Sequence, residues 1–568
     1  MVGYLVGSVR RSVSNLLCLS LIIIPALLSA CGGGSSSGGT PPVASSTPTL
    51  SSSSSSSSSL PAIITLSGNI TYDFVPHAAE QDGLDYTATV ARPGRGLLVE
   101  LLDANNQVLT STISSQTGAY SLNATRDKLV RVRVKAQLLS ESDNSAQWDF
   151  KVTDNTSNNS VYAMAGSLLA ANEATAVRDL NASSGWSGAA YTQPRVAAPF
   201  AIIDAIFTGV ERLLAVDDAL QFPSLELRWS EDNNTADGDL ALGEIATSFY
   251  SSDLNAIYIL GSENDDTDEY DRHVILHEWG HYIEAKLSRS DSIGGSHQSD
   301  DKLDFRVAMS EGFSNAFSAM LLDDPVYRDT SGVQQSDDFR IAVNRIDNTV
   351  RGWYSEASVQ SIFYNFYVSD TNKTARDIAD VFTVIRRDNY INSDAFVSIY
   401  LFAEQLRAAD PTVTPTINSL LIGQNIAITD RFGADESNSG GAAAHLPIYK
   451  TLPLNNTAVN VCSTNNQGAY NKLGVSQFLL LNVVSAGNYR ITAAESGTVS
   501  SDSDPNMYLY FRGEILQEAT SAMVGSETLT HSLLPGAYVL ELVDDRAVRD
   551  DFNGNAYACF DVRAFQLN

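Results

Sequence analysis

In the segment Arg272-His273-Val274-Ile275-Leu276-His277-Glu278-Trp279-Gly280-His281-Tyr282, two histidines stand four residues apart with a glutamate directly after the first. On a helix that spacing projects both imidazoles from one face, one turn apart. Two bonds of roughly 2.0–2.1 Å to one Zn²⁺ need that arrangement. Glu278 then points beside the metal, where its carboxylate can take a proton from water whose pKa the cation has lowered. The chain has 7 His in 568 residues, and a random sequence of this composition would contain His-Glu-x-x-His roughly 0.003 times. His273 shares the helix face four residues earlier and reads as a packed or supporting residue, not a ligand.

A catalytic zinc site needs a third protein ligand and an open fourth position. Glu284 lies on the same helix face, but the next turn carries it away from the metal, which leaves it a supporting or solvated role. Glu311, in Ser310-Glu311-Gly312-Phe313-Ser314-Asn315, is the better third ligand. It opens a second helical run after the Gly294-Gly295 loop, so a helix hairpin can bring it back beside the first helix. A donor near the open position must stabilise the oxyanion that forms on the substrate. His297, in the polar loop between the two helical runs, Tyr354 and Tyr364 are the candidates, with Arg351 behind them. The acidic stretch at 263–271 suits a helix N-terminus in solvent. A structural Ca²⁺ is the other reading, because carboxylates are hard ligands.

A His-Glu-x-x-His pair followed by Glu on a later helix resembles the gluzincin zinc metallopeptidases. The resemblance implies a zincin-like α+β domain, one Zn²⁺ per chain on His277, His281 and Glu311, and Glu278 as general base. In several gluzincins an Asp four residues after the Glu ligand orients a ligand imidazole. That position is Asn315 here, whose amide oxygen still accepts the N–H. The metzincin pattern would place Gly at 284 and His at 287, and Glu284 and Leu287 exclude it.

The elements that must position these residues follow from periodicity. Residues 64–70, 96–102 and 129–134 alternate like strands, with turn chemistry at Asp103-Ala104-Asn105-Asn106 and Gln116-Thr117-Gly118. They predict an all-β sandwich over 61–160, and VELLDANNQVLTSTISSQTGAYSL resembles the transthyretin-like domains attached to secreted peptidases. From about 193 the period turns helical, with strands at 225–229 and 256–260 and helices near 198–214, 271–288, 305–322, 356–368, 374–387 and 393–408. This predicts an α+β catalytic domain over 190–450. Short strands return over 458–568, where SDSDPNMYLYFRG and LLPGAYVLELV resemble the pre-peptidase C-terminal β-sandwich of secreted bacterial peptidases. The expected architecture is therefore multidomain, a zincin-like α+β domain flanked by two all-β sandwiches.

The N-terminus and the charge set the surroundings. Arg10 and Arg11 precede an apolar run over 16–30, which reads as a secretory signal over 1–30. It is shorter than the roughly 20 residues that span a bilayer. Leu28-Ser29-Ala30-Cys31 resembles the lipobox of bacterial lipoproteins, which implies lipidation of Cys31. Gly32 and Gly33 lack the inner-membrane Asp of that class, which favours the outer membrane of the cell envelope. Residues 31–60 are a Ser/Gly-rich tether that cannot form a core. Cys462 and Cys559 remain as an even pair in an exported protein, which predicts a disulfide. The net charge of −30, from 36 Lys+Arg against 66 Asp+Glu, argues against nucleic acid as a partner. The membrane is then reached only through the lipid on Cys31.

The expected function is a zinc-dependent endopeptidase acting on a protein or peptide. Two other readings stay open: a surface-displayed binding lipoprotein with a vestigial zincin core, and a zinc amidase acting on cell-wall or glycan-linked amides. An intact Glu278 argues against the first, since a dead site has no physical need for that carboxylate.

Overall fold

The largest sheet draws strands from both sides of the boundary expected near residue 160. The chain enters through β1 (Ile63–Phe74), β2 (Leu97–Asp103), β3 (Val108–Ile113), β4 (Ala119–Thr125), β5 (Leu129–Ser140) and β6 (Trp148–Asp154). Helix α1 (Ala197–Leu214) follows, then β7 (Leu225–Trp229), β8 (Phe249–Ser251) and β9 (Ala256–Ile259). The sheet runs β8-β9-β7-β6-β5-β2-β3, with three short strands added beside β5 and β6. β6 and β7 pair in parallel, Phe150 opposite Leu225 and Val152 opposite Leu227. β1 pairs with β4 in a second sheet, Leu66 opposite Leu122. Leu66 and Ile70 share one core with Val132 of β5, Ile202 and Ile206 of α1, and Leu227 of β7.

The segment 61–160 is therefore not the free-standing sandwich that its alternation predicted; its strands β2, β3, β5 and β6 lie in one sheet with β7, β8 and β9. Alternation fixes which face of β6 is buried, but not whether its edge is paired. Here that edge joins β7.

Chain order continues with β10 (Asp266–Thr267), α2 (Arg272–Leu287), α3 (Phe305–Leu322), a hairpin of β11 (Val326–Ser331) and β12 (Asp337–Ala342), and α4 (Glu356–Val368). The hairpin was not anticipated from the sequence. α2 is buried nearly all round, through Val274, Ile275, Leu276, Trp279, Tyr282 and Ile283, which marks a central helix rather than a surface one. α3 is capped by Asp304, which accepts from Arg306 N at 2.9 Å. Two glycines set the helix spacing. A Cβ on Gly280 would lie 2.9 Å from Ser314 Oγ, and one on Gly312 would lie 2.6 Å from Val359 Cβ. α2, α3 and α4 therefore approach side by side at small residues.

Beyond Tyr449 a five-stranded and a four-stranded sheet face each other over Leu479, Leu481, Ile491, Leu509, Leu540 and Phe560. Cys462 and Cys559, directly opposite in adjacent strands, form a disulfide across 97 residues of sequence. This sandwich is bonded to α3: Arg306 donates to Glu541 Oε1 at 2.6 Å and Oε2 at 3.0 Å. Phe305 rests on Phe478 with ring centroids 5.2 Å apart.

The computed structural model describes residues 62–79, 81–140, 147–369, 378–497, 502–549, 551–552 and 554–567. The signal segment, Cys31 and the tether lie outside these. Among the described residues no helix is long and apolar enough to cross a membrane.

Candidate metal centre

Three ligand atoms converge where α2 crosses α3. His277 Nε2 and His281 Nε2 are 3.1 Å apart. Glu311 Oε2 lies 3.2 Å from the first and 3.4 Å from the second. Bonds of 2.0–2.1 Å at tetrahedral angles put neighbouring ligand atoms about 3.3 Å apart, so the three atoms have the dimensions of one face of a zinc tetrahedron. Sequence spacing placed both histidines on one face of α2, and the close approach at Gly280 brings Glu311 of α3 to meet them.

The hydrogen bonds behind the imidazoles fix their tautomers. Asn315 Nδ2 donates to Glu356 Oε1 at 2.6 Å and to Gln360 Oε1 at 2.9 Å, which turns its Oδ1 toward His277 Nδ1, 2.8 Å away. An amide oxygen only accepts, so His277 carries its proton on Nδ1. Ser310 Oγ donates to Glu284 Oε2 at 2.5 Å and so accepts from His281 Nδ1, 3.1 Å away. Both Nε2 atoms then face each other and a carboxylate oxygen. Burial opposes a charge on His281, but Glu311 and Glu284 outweigh it and push the imidazole well above its usual range. A proton on its Nε2, or a metal ion that displaces that proton, relieves the repulsion among the three atoms.

Glu278 stands beside this triangle. Its Oε2 accepts from Tyr250 N of β8 at 2.7 Å, and its Oε1 is 4.0 Å from His277 Nε2. Burial pushes its carboxyl above the usual carboxylate range, although both histidines pull the other way. His297 also reaches the site, with Nε2 3.8 Å from Glu311 Oε2 and 3.4 Å from Glu356 Oε2. Burial disfavours its charged form, but Glu311 and Glu356 outweigh burial and push the imidazole up to about 10. The loop that carries it is held by the C-terminal sandwich. Tyr470 Oη donates to Ile293 O at 2.9 Å, Asn471 Nδ2 to Gly294 O at 2.9 Å, and Lys472 Nζ to Ser296 O at 2.9 Å.

The sequence of this chain matches no family model and no curated protein. Among solved structures it is similar to the pre-peptidase C-terminal domain of the Bacillus anthracis collagenase, at 14% identity, over 20% of this chain and 94% of that one, with a TM-score of 0.15. It is also similar to a surface-associated copper-binding protein of Methylomicrobium album BG8, at 9% identity over 20% and 96% of the two chains, with a TM-score of 0.16. The periplasmic inhibitor of g-type lysozyme from Aeromonas hydrophila matches at 12% identity over 20% and 96%, with a TM-score of 0.14. The likeness is partial.

Other expected residues sit differently. The Tyr354 hydroxyl is committed to Asn438 Oδ1 at 3.0 Å and Arg351 O at 3.2 Å, so the catalytic donor expected there is corrected to a buried structural tyrosine. Tyr364 packs against Tyr367, and Arg351 is exposed. Glu284 is a buried support, 3.6 Å from His281 Nδ1. His273 packs beside Tyr327, ring centroids 5.6 Å apart. Sequence reading missed Ser310, Glu356 and Gln360. A signal was present: Glu356 and Gln360 are one helical turn apart in a helix with no charged residue besides Glu356, as polar residues that serve a buried site would be.

Proposed function

We propose that this protein is a zinc-dependent hydrolase that cleaves peptide bonds. The observation that carries the reading is the triangle of His277 Nε2, His281 Nε2 and Glu311 Oε2, with both Nδ1 protons held from behind. Those three residues would hold the metal; zinc, when bound, would supply Lewis acidity toward a carbonyl and acidify water at neutral pH.

The chain's own residues would do the rest. Tyr250 N–H fixes Glu278 Oε2, leaving Oε1 to take a proton from the attacking water and pass it to the leaving amine. Burial, by raising the Glu278 carboxyl, brings its basicity closer to what proton shuttling near neutral pH needs. His297, cationic beside Glu356, would donate to the oxygen that becomes negative as water adds. β8 is the terminal strand of the sheet and adjoins Glu278 through Tyr250. An extended peptide is the substrate whose backbone suits a strand edge.

The test is zinc content and casein hydrolysis on the chain from Leu60 onward, wild type beside Glu278→Gln. About one zinc in both, with cleavage in the wild type alone, is the expected result. Zinc in both with cleavage in neither would overturn the peptidase reading. No zinc in either would overturn the ligand assignment.

A further inference from the structure

A second group of carboxylates lies just before α2. Asp266 and Asp268, in and after β10, and Asp329 of β11 each offer an oxygen, all within 4.8 Å of one another. Asp266 is 7% exposed and Asp268 2%. Asp268 accepts one hydrogen bond from Ser248 Oγ, but its Oδ1 and Asp266 Oδ1 are buried with no hydrogen-bond partner. Among the described residues no Lys or Arg pairs with either one. Arg195 is taken by Glu269, Thr267 and Gly261 O, and Arg328 by Asp338. Asp271 next to them is already satisfied by His77 and by Thr330 N and Oγ1.

Buried carboxylate oxygens with no hydrogen-bond donor, as Asp266 Oδ1 and Asp268 Oδ1 are, cost several kcal/mol, and a bound cation removes that cost. We propose that Asp266, Asp268 and Asp329 form a calcium site, separate from the metal triangle of α2 and α3. Ca²⁺–oxygen bonds of about 2.4 Å on opposite sides of one ion span about 4.8 Å, and the three oxygens all lie within 4.8 Å of one another, so one ion can reach all three. All-oxygen ligands exclude a preference for zinc, which takes His and Cys more readily. Mg²⁺ keeps several waters and a strict octahedron, which a buried set of three carboxylates serves poorly.

The site would tie together two segments that frame α2. β10 leads into the helix within a few residues, and Asp266 pairs with Ser331 at the end of β11. β11 also carries Tyr327, whose ring meets His277 edge-on with centroids 6.0 Å apart. Calcium would thus set the start of the helix that bears the two histidines.

The test uses the chain from Leu60, stripped of metal, reloaded with zinc, and titrated with CaCl₂ or MgCl₂ by calorimetry and by thermal melting, with zinc measured in every sample. The expected result is about one calcium bound per chain and a Tm that rises with calcium at constant zinc. Asp268→Asn and, separately, Asp329→Asn should each weaken calcium binding at least tenfold and flatten the calcium-dependent rise in Tm. The wild-type measurement stands even if a variant fails to fold. No calcium bound, an equal response to magnesium, or an unchanged response in a folded variant would overturn the proposal. A failed zinc reading would show as absent zinc and leave this result intact.

Discussion

Asn315 Oδ1 lies 2.8 Å from His277 Nδ1 while its Nδ2 lies 2.6 Å from Glu356 Oε1. One amide thus joins the His277 imidazole to a buried carboxylate. A carboxylate at 315 could accept from the imidazole but would face Glu356 with no proton between them. Asn315→Ala should weaken zinc binding by about 10–100-fold, measured by competition with a chromogenic chelator. Asn315→Asp should weaken it too, and adding Glu356→Gln should restore it.

His297→Gln should retain zinc and lower kcat by about 10²–10³-fold, the range for loss of one oxyanion donor, with KM changed little. Steady-state kinetics on a peptide beside metal analysis checks this. An unchanged kcat would remove His297 from the mechanism.

Gly312→Ala should destabilise the fold by about 1–3 kcal/mol, because the added Cβ would lie 2.6 Å from Val359 Cβ and 2.7 Å from Glu356 O. α3 would be pushed from α4. Urea denaturation should show a lower midpoint with an unchanged slope.

Acid should destabilise the protein through His445. Burial, helped by Lys450 and opposed by the bond to Gln477, lowers this imidazole to about 4. The unfolded chain protonates near 6.5 and the folded one does not, so stability falls as pH drops from about 6.5 to about 4. The loss is about 3 kcal/mol at most. His445→Gln should flatten that part of the stability profile, read by denaturant melts at several pH values.

Much of the centre was legible because it is local. His277, Glu278 and His281 lie within two turns of one helix, and Glu311 and Asn315 one turn apart on the next. The disulfide was legible from the count of cysteines. Less accessible was whatever depends on which surfaces meet. The pairing of β6 with β7 joined two regions that periodicity had separated, since alternation carries no information about strand partners. Tyr354 failed as a candidate because proximity in sequence to α4 says nothing about where a hydroxyl finds its acceptor. His297 was named from its place in the loop between the two helical runs, but the contacts that hold that loop come from a domain whose strands begin far along the chain.

The grip of Tyr470, Asn471 and Lys472 on the loop before His297 bears on how such a protein ages. A protease that clipped the chain between its helical part and the last two sheets would free that loop. It would also strip Glu541 from the interior charge of Arg306. Loss of the last two sheets would therefore loosen the loop that carries His297 and leave Arg306 without one of its carboxylates. The terminal sandwich is thus a strut of the His277–His281–Glu311 centre and not a detachable passenger.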